Sequence, residues 1–296
     1  MKKQEDQNQE FSMLRLYWQH FTRNKLAVIA LVYLLTIYIL AMLTPLIAPY
    51  EPDAISLGDK FITMSREHLL GTDQLGRDIF TRLLYGARIS LAVGFVSIII
   101  AMFVGTLIGI VAGFFGKWVD VILMRFTDGM LSIPLFFLLL TALTVFNRSL
   151  FIIMFFIGLS RWMTPARVVR SEVLKNKNEE YVLASRALGA GPIRIMFKHL
   201  LPQAIPSMLV AASFGIAQAI LIESALSYIG LGIQPPMPSW GNMLLDAQSF
   251  IYIAPLLAIY PGILIFITVL AYNAVGDGLR DALDPYTVSA NKELGT

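Results

Sequence analysis

Glu223 is the only carboxylate well inside an apolar stretch of this 296-residue chain. A charge at that depth in a bilayer costs about 2.5 kcal/mol or more, which makes the residue a functional candidate by default. It stands about six residues past the middle of the run 203–231, roughly 9 Å off-centre at the α-helical rise. Two chemistries fit it: lining or gating a path through the membrane, or accepting a structural hydrogen bond from Ser224, Ser227 or a partner helix. One carboxylate does not make a proton relay. His20, His68 and His199 are far apart and match no metal-ligand spacing. The chain has no cysteine, hence no thiolate metal site and no disulfide framework. The run ending Gly116-Lys117-Trp118 has the outline of a phosphate-binding loop, but Val111 stands where the first glycine belongs and Trp118 where Ser or Thr must reach magnesium. The chain therefore does not hydrolyse ATP by itself.

The elements that must position these residues are membrane spans. Hydrophobic residues make up 56% of the chain and charged ones 15%, against about 25% charged in soluble domains, and the mean hydropathy is +0.67. Several apolar runs exceed roughly 18 residues, enough to cross a bilayer. The expected fold is all-α integral membrane with six transmembrane helices. Residues 1–25 form a cytoplasmic amphipathic segment. The spans follow at 26–48, 89–115, 121–146, 150–165, 203–231 and 251–275. Pro134 bends the third span, and the fourth continues as helix into the aqueous loop. An extracytoplasmic segment covers 49–88, a polar loop 166–202, an outer loop 232–250 and a cytoplasmic tail 276–296. Gly105, Gly109 and Gly113 have the spacing that lets helix backbones approach closely in lipid. Arg125 and Asp128 lie one turn apart, able to pair or to reach the interface.

Charge sets the orientation. Residues 161–199 hold eight Lys/Arg against three acids, and 232–250 hold no Lys or Arg. The positive-inside rule puts the 161–202 loop in the cytoplasm, with both termini. That loop contains the most structured polar stretch, Glu179–Pro202, which reads as helix, break, helix. Glu180–Leu188 carries good helix formers with Tyr181, Ala184, Ala187 and Leu188 on one stripe. Gly189 suits a helix C-terminus, Pro192 the first turn of a second helix, and Pro202 ends it. At the outer side, Gly71-Thr72-Asp73-Gln74-Leu75-Gly76-Arg77-Asp78 reads as a capped helix start with Thr72 as N-cap, and Asp73–Arg77 and Asp78–Arg82 as acid-before-base pairs.

These segments carry a resemblance. The 180–202 stretch resembles the EAA loop of membrane subunits of ATP-binding-cassette importers. Leu183, Ala184 and Ser185 stand at the Glu-Ala-Ala positions, Gly189 at the glycine, and His199, Leu200, Leu201 and Pro202 at its end. Leu183 and His199 depart from the general pattern but match the EYVxAxRALG variant of peptide and nickel permeases. HLLGTDxLGRDxFTR around Gly71, Thr72, Asp73, Gly76, Arg77 and Asp78, GLGxxPPxPSWGxML around Trp240, and the ending near Pro285 are similar to C-type permeases of that group. The resemblance implies a multi-pass subunit of the bacterial cytoplasmic membrane, not itself an enzyme, moving di- or oligopeptides. Nickel or another small solute in the same importer class is the alternative, and an ion-gradient-driven secondary transporter the reading from another class. It further implies that Glu180, Ala184, Ser185, Arg186, Ala187, Leu188, Gly189, Ala190, Leu201 and Pro202 couple to an ATPase. The implied partners are a homologous B-type permease, two ATPase subunits that hold ATP and magnesium, an extracytoplasmic solute-binding protein and lipid, with no nucleic acid and no cofactor in this chain.

Overall fold

The computed structural model describes residues 17–146 and 149–283, and these are helical with connecting loops. After a short helical piece at 17–23, α1 spans Lys25–Ile47, capped by the Asn24 side chain, which accepts from Ala27 N at 3.2 Å. The longest helix, α2 (Ile79–Phe115), has 37 residues, about 55 Å against a hydrocarbon core of about 30 Å, so it must project from the membrane. Next come α3 (Lys117–Ser132) and α4 (Leu135–Val145), then α5 (Leu150–Leu159) and α6 (Met163–Asn176). Two short helices, α7 (Glu180–Ala187) and α8 (Pro192–Ile195), precede a π turn at Met196–Leu200. The chain then forms α9 (Leu201–Tyr228), α10 (Trp240–Gln248) and α11 (Leu256–Leu283). Among the described residues four helices are long and apolar enough to cross a membrane, and up to six spans result if each bent pair counts as one.

The bent pairs explain where the expected spans differ from the helices. The run 121–146 is α3 and α4, meeting at 81°, because Pro134 removes a backbone donor and excludes the helical conformation at Ile133. The run from 150 is α5 and α6, meeting at 43° around Ser160–Trp162 and running on to Asn176. The second span starts at Ile79 rather than 89, and the sixth starts at Leu256 and continues into the stretch expected as tail. Most of 1–25 and the end of the tail lie outside the described residues. Thr72 is not the N-cap of the helix that follows. Asp78 is, accepting from Thr81 N at 2.8 Å, and Thr72 instead bridges back to Asp78 as an isolated β-pair.

The molecule is organised around α2. Gly105, Gly109 and Gly113 face α6 so closely that an added Cβ would lie 2.6 Å from Trp162 O, 2.4 Å from Ala166 O and 2.8 Å from Val173 Cβ. Small residues are what permit such backbone approach in lipid, where apolar burial gives no drive between helices. Across its other face α2 meets α9, with Ile98 against Gly215 and Gly94 against Ile220. On the far side α1 and α11 are joined by Tyr33 Oη–Thr268 Oγ1 at 2.9 Å and Tyr38 Oη–Tyr272 Oη at 2.7 Å. Arg170 pairs with Asp120 at 2.5 Å and Arg167 with Asp128 at 2.6 Å, tying α6 to α3. Asp128 thus takes a partner on another helix rather than its neighbour Arg125.

Candidate functional site

Three polar regions remain, one at each end of the bundle and one between. At the end that carries the two short helices, α7 buries a single side chain. Val182 is fully buried with Ile110, Val169, Val173, Ile195, Met196 and Leu200 in a small core shared by α2, α6, α8 and the π turn. Ala190 and Leu201 pack half-buried against it. The helix ends in a Schellman turn: Ala190 N–H donates to Ser185 O at 3.1 Å and Gly189 N–H to Arg186 O at 3.0 Å. Gly189 takes φ +84° there, a conformation other residues adopt only with strain. Ser185 Oγ lies 3.1 Å from His199 Nε2, so the serine at the second Ala position of the motif is the partner of the departing His199. Arg186 rests over the Phe114 ring at 5.8 Å.

The rest of the loop points outward. Glu180, Ala184, Ala187 and Pro202 are exposed, and so are the apolar side chains Leu188 (89%), Ile193 (72%), Leu183 (46%) and Phe197 (45%). Pro202 does not stop the second helix. Leu201 N–H donates to Met196 O, five residues back. That wider turn absorbs the donor missing at Pro202, so α8, the π turn and α9 run on as one helical path, Pro192–Tyr228.

At the opposite end the Gly71–Asp78 motif residues form a buried clasp. Asp73 accepts from Arg77 Nε at 2.7 Å, Arg82 Nη1 at 2.5 Å, Leu75 N at 2.8 Å and Arg77 N at 3.0 Å. Asp246, on α10, accepts from Arg77 Nη2 at 3.1 Å and Arg82 Nη2 at 3.3 Å. Two acids and two arginines thus neutralise each other across 169 residues of chain, far beyond the reach of any helical pairing rule. The Asp73–Arg77 pair is therefore present, though in a turn and not a helix. Asp78 does not pair with Arg82; it caps α2 and binds His68 Nδ1 at 2.9 Å. Gly71 and Gly76 have positive φ, and Gly71 O receives Ile79 N–H at 3.1 Å.

Glu223 belongs with this clasp. It is wholly buried, accepting from Ser90 Oγ of α2 at 3.2 Å and Ser227 Oγ at 2.7 Å. Those hydroxyls in turn accept backbone N–H groups of Trp240 and Ile233 at 3.2 and 3.0 Å. Ser239 and Asn242 cap α10 reciprocally beside it. The carboxylate thus anchors α2, α9 and the outer loop to one another.

Between the two ends opens a cavity of about 650 Å³, walled by α6, α9 and the end of α11. Its polar lining includes Arg161, Thr164, Glu172, Ser207, Gln218 and Arg280. Arg161 donates to Gln218 Oε1, and Ser207 Oγ donates to Glu172 Oε1 at 2.7 Å. Glu223 is not on this wall. Sequence reasoning counted Arg161 among cytoplasmic bases and gave the cavity residues no role, because they come from three separate stretches.

Comparisons with known proteins agree with this architecture. The family described as binding-protein-dependent transport system inner membrane component matches residues 105–288, and the N-terminal transmembrane domain of oligopeptide transport permease C matches 12–66. The dipeptide transport system permease protein DppC of Alkalihalophilus pseudofirmus is 39% identical over 95% of this chain and 92% of its own. The glutathione transport system permease protein GsiD of Pectobacterium atrosepticum is 39% identical over 92% and 90%, and the oligopeptide transport system permease protein OppC of Bacillus subtilis 39% over 90% and 87%. In fold, the chain is similar to an inward-facing structure of the MetNI methionine ABC transporter, with TM-score 0.55 and 21% identity over 70% of this chain and 98% of that one. Long apolar helices around a polar cavity, a short helix pair displayed at one end and these extensive matches together place the chain in the family of binding-protein-dependent transport system inner membrane components, as a multi-pass permease subunit.

Proposed function

We propose that this permease subunit forms one half of the path of an ATP-driven importer of di- or oligopeptides, the other half being a homologous permease. An extracytoplasmic binding protein delivers the peptide. Two ABC ATPases, which carry the nucleotide and magnesium, supply the work. The observation that carries the coupling role is the exposed apolar face of α7, α8 and the π turn. Leu188 and Ile193 are left in water at the tip of a pair whose other side is fixed by Val182. An apolar knob on a rigid mount suits insertion into a cleft of a second protein. The continuous path from α8 through α9 then transmits movement of that mount to the helix that lines the cavity.

Sealing of Glu223 away from the cavity argues against an ion-gradient carrier, which needs titratable sites open to a midplane path. Retention of the ATPases during purification and ATP-dependent peptide uptake in proteoliposomes test the reading. Uptake driven by an ion gradient without ATP would sink it. Orientation is tested in the same membranes: a Cys replacing Tyr252, which is 99% exposed, is labelled from outside, and one replacing Asn178 only after permeabilisation. A second reading, a glutathione carrier, draws on the equal identity of the glutathione relative. Competition of glutathione against a dipeptide for uptake separates the two.

A further inference from the structure

We infer that Arg161, with Gln218 beside it, is a carboxylate-recognising station in the wall of the cavity, engaging the C-terminal carboxylate of a peptide in transit. The inference rests on the peptide-import reading and deepens it. Depth comes first. Gly158 packs against Ser97 O and Ile100, and Gly105 against Trp162 O. Arg161, between Gly158 and Trp162, therefore stands level with residues 97–105 of α2, the middle of its apolar stretch. Gly215 against Ile98 brings Gln218 to the same level from α9. A guanidinium at such depth is costly unless it faces a water-filled path or a partner of opposite charge.

Pairing comes second. Arg167 and Arg170, on the same polypeptide segment, each hold an aspartate. Arg161 holds only the neutral carbonyl oxygen of Gln218, and among the described residues no acid forms an ion pair with it. Glu172, the acid in the cavity lining, is engaged by Ser207 and lies about 14 Å beyond the first residue of α6. Position comes third. Arg161 occupies the break between α5 and α6, and irregular backbone at membrane depth persists only where it is enclosed by protein or lines a cavity. The N-terminus of α6 opens there with no side-chain cap, so its positive end adds to the guanidinium. The planar fork of an arginine matches a carboxylate in two parallel hydrogen bonds.

The test uses the whole reconstituted complex with its binding protein and compares a free-acid peptide with its C-terminal amide. Arg161→Gln should lower uptake of the free acid about tenfold or more, the effect of losing a charge-assisted hydrogen bond. Arg161→Lys should retain most of it, and the amide should be unaffected by either change. Because the chain has no native cysteine, Arg161→Cys gives a second arm with one peptide only. A cationic thiol reagent should restore uptake of the free acid, and a neutral reagent of the same size should not. Equal losses for acid and amide, or equal restoration by both reagents, would overturn the inference in favour of packing or an ion pair with the partner permease. Undiminished uptake by Arg161→Gln would overturn it as well. Absence of ATP-dependent peptide uptake by the unmodified complex would instead be a failure of the underlying reading.

Discussion

The Asp73 clasp at one end of the bundle and the α7–α8 pair at the other are made from opposite materials. In and beside the clasp Asp73, Arg77, Asp78, Arg82 and Glu223 are all buried, and each is hydrogen-bonded to another part of the chain. In the α7–α8 pair and its π turn the buried side chains are apolar, Val182, Ile195, Met196 and Leu200, and what faces outward is Leu188, Ile193 and Phe197. Charged residues in a protein interior persist because they are paired, and removing one partner leaves another stranded. Large apolar residues in water persist when something else covers them. The comparison supports the proposed coupling role, with the charged motif holding the bundle together and the apolar motif left for a partner, although charge is the usual pointer to function.

The largest effect expected from this contrast is at Asp73. Asp73→Ala leaves Arg77 and Arg82 with only Asp246 between them, a loss of about 3–5 kcal/mol. Thermal melting of the purified chain and its yield in membranes should both fall, whereas whatever folds should still bind the ATPases. An Asp73→Ala protein of normal melting temperature that fails to transport would reverse the assignment. At the other end, Leu188→Glu and Ala184→Asp should leave melting within about 0.5 kcal/mol of the parent. ATPase pull-down should weaken by about 2 kcal/mol or more, the size of an interface hot spot. Retained ATPase binding in both would remove the loop from the coupling role.

Gly189→Val sharpens the same point through geometry. Its φ of +84° disfavours any Cβ by roughly 1–2 kcal/mol, yet no atom lies within 4 Å of where that Cβ would sit. The strain is thus purely in the backbone and is relieved if α7 runs on, which displaces α8. Insertion into the membrane should be unchanged and ATP hydrolysis should lose its response to substrate. Hydrolysis that still responds would mean that the Schellman turn is not needed for coupling. The smallest effect is expected for Glu223→Gln. The amide keeps an oxygen for Ser90 or Ser227, so stability should drop about 1 kcal/mol with uptake nearly intact. Collapse of uptake at unchanged melting temperature would return Glu223 to the transport path.

Much of this was legible locally. The helix-break-helix at 180–195 follows from Gly189 and Pro192, whose backbone preferences act over one or two residues whatever surrounds them. The bend at Pro134 has the same origin. Thr72 misled because Asp78 sits closer to the apolar run and its carboxylate reaches the first N–H groups better. Pro202 misled because a π turn, which is set by packing of Met196 and Leu200 into the Val182 core, absorbs its missing donor. The Asp78–Arg82 spacing misled because spacing states which pairs are possible on a helix, and here the helix begins only after Asp78.

The sequence by itself determined that the chain is a bundle of membrane helices and which loop carries the helix pair. Apolar run length and the φ demands of glycine and proline are properties of consecutive residues. Only the tertiary structure decided that Glu223 is sealed among serines while Arg161 faces the cavity, bonded to Gln218 and, among the described residues, paired with no acid. That choice depends on which residues of α2, α6, α9 and the outer loop come within 3 Å or so of each charge. Those neighbours lie up to 133 positions away in the chain, and burial, which decides whether a charge must be paired, exists only once they have met.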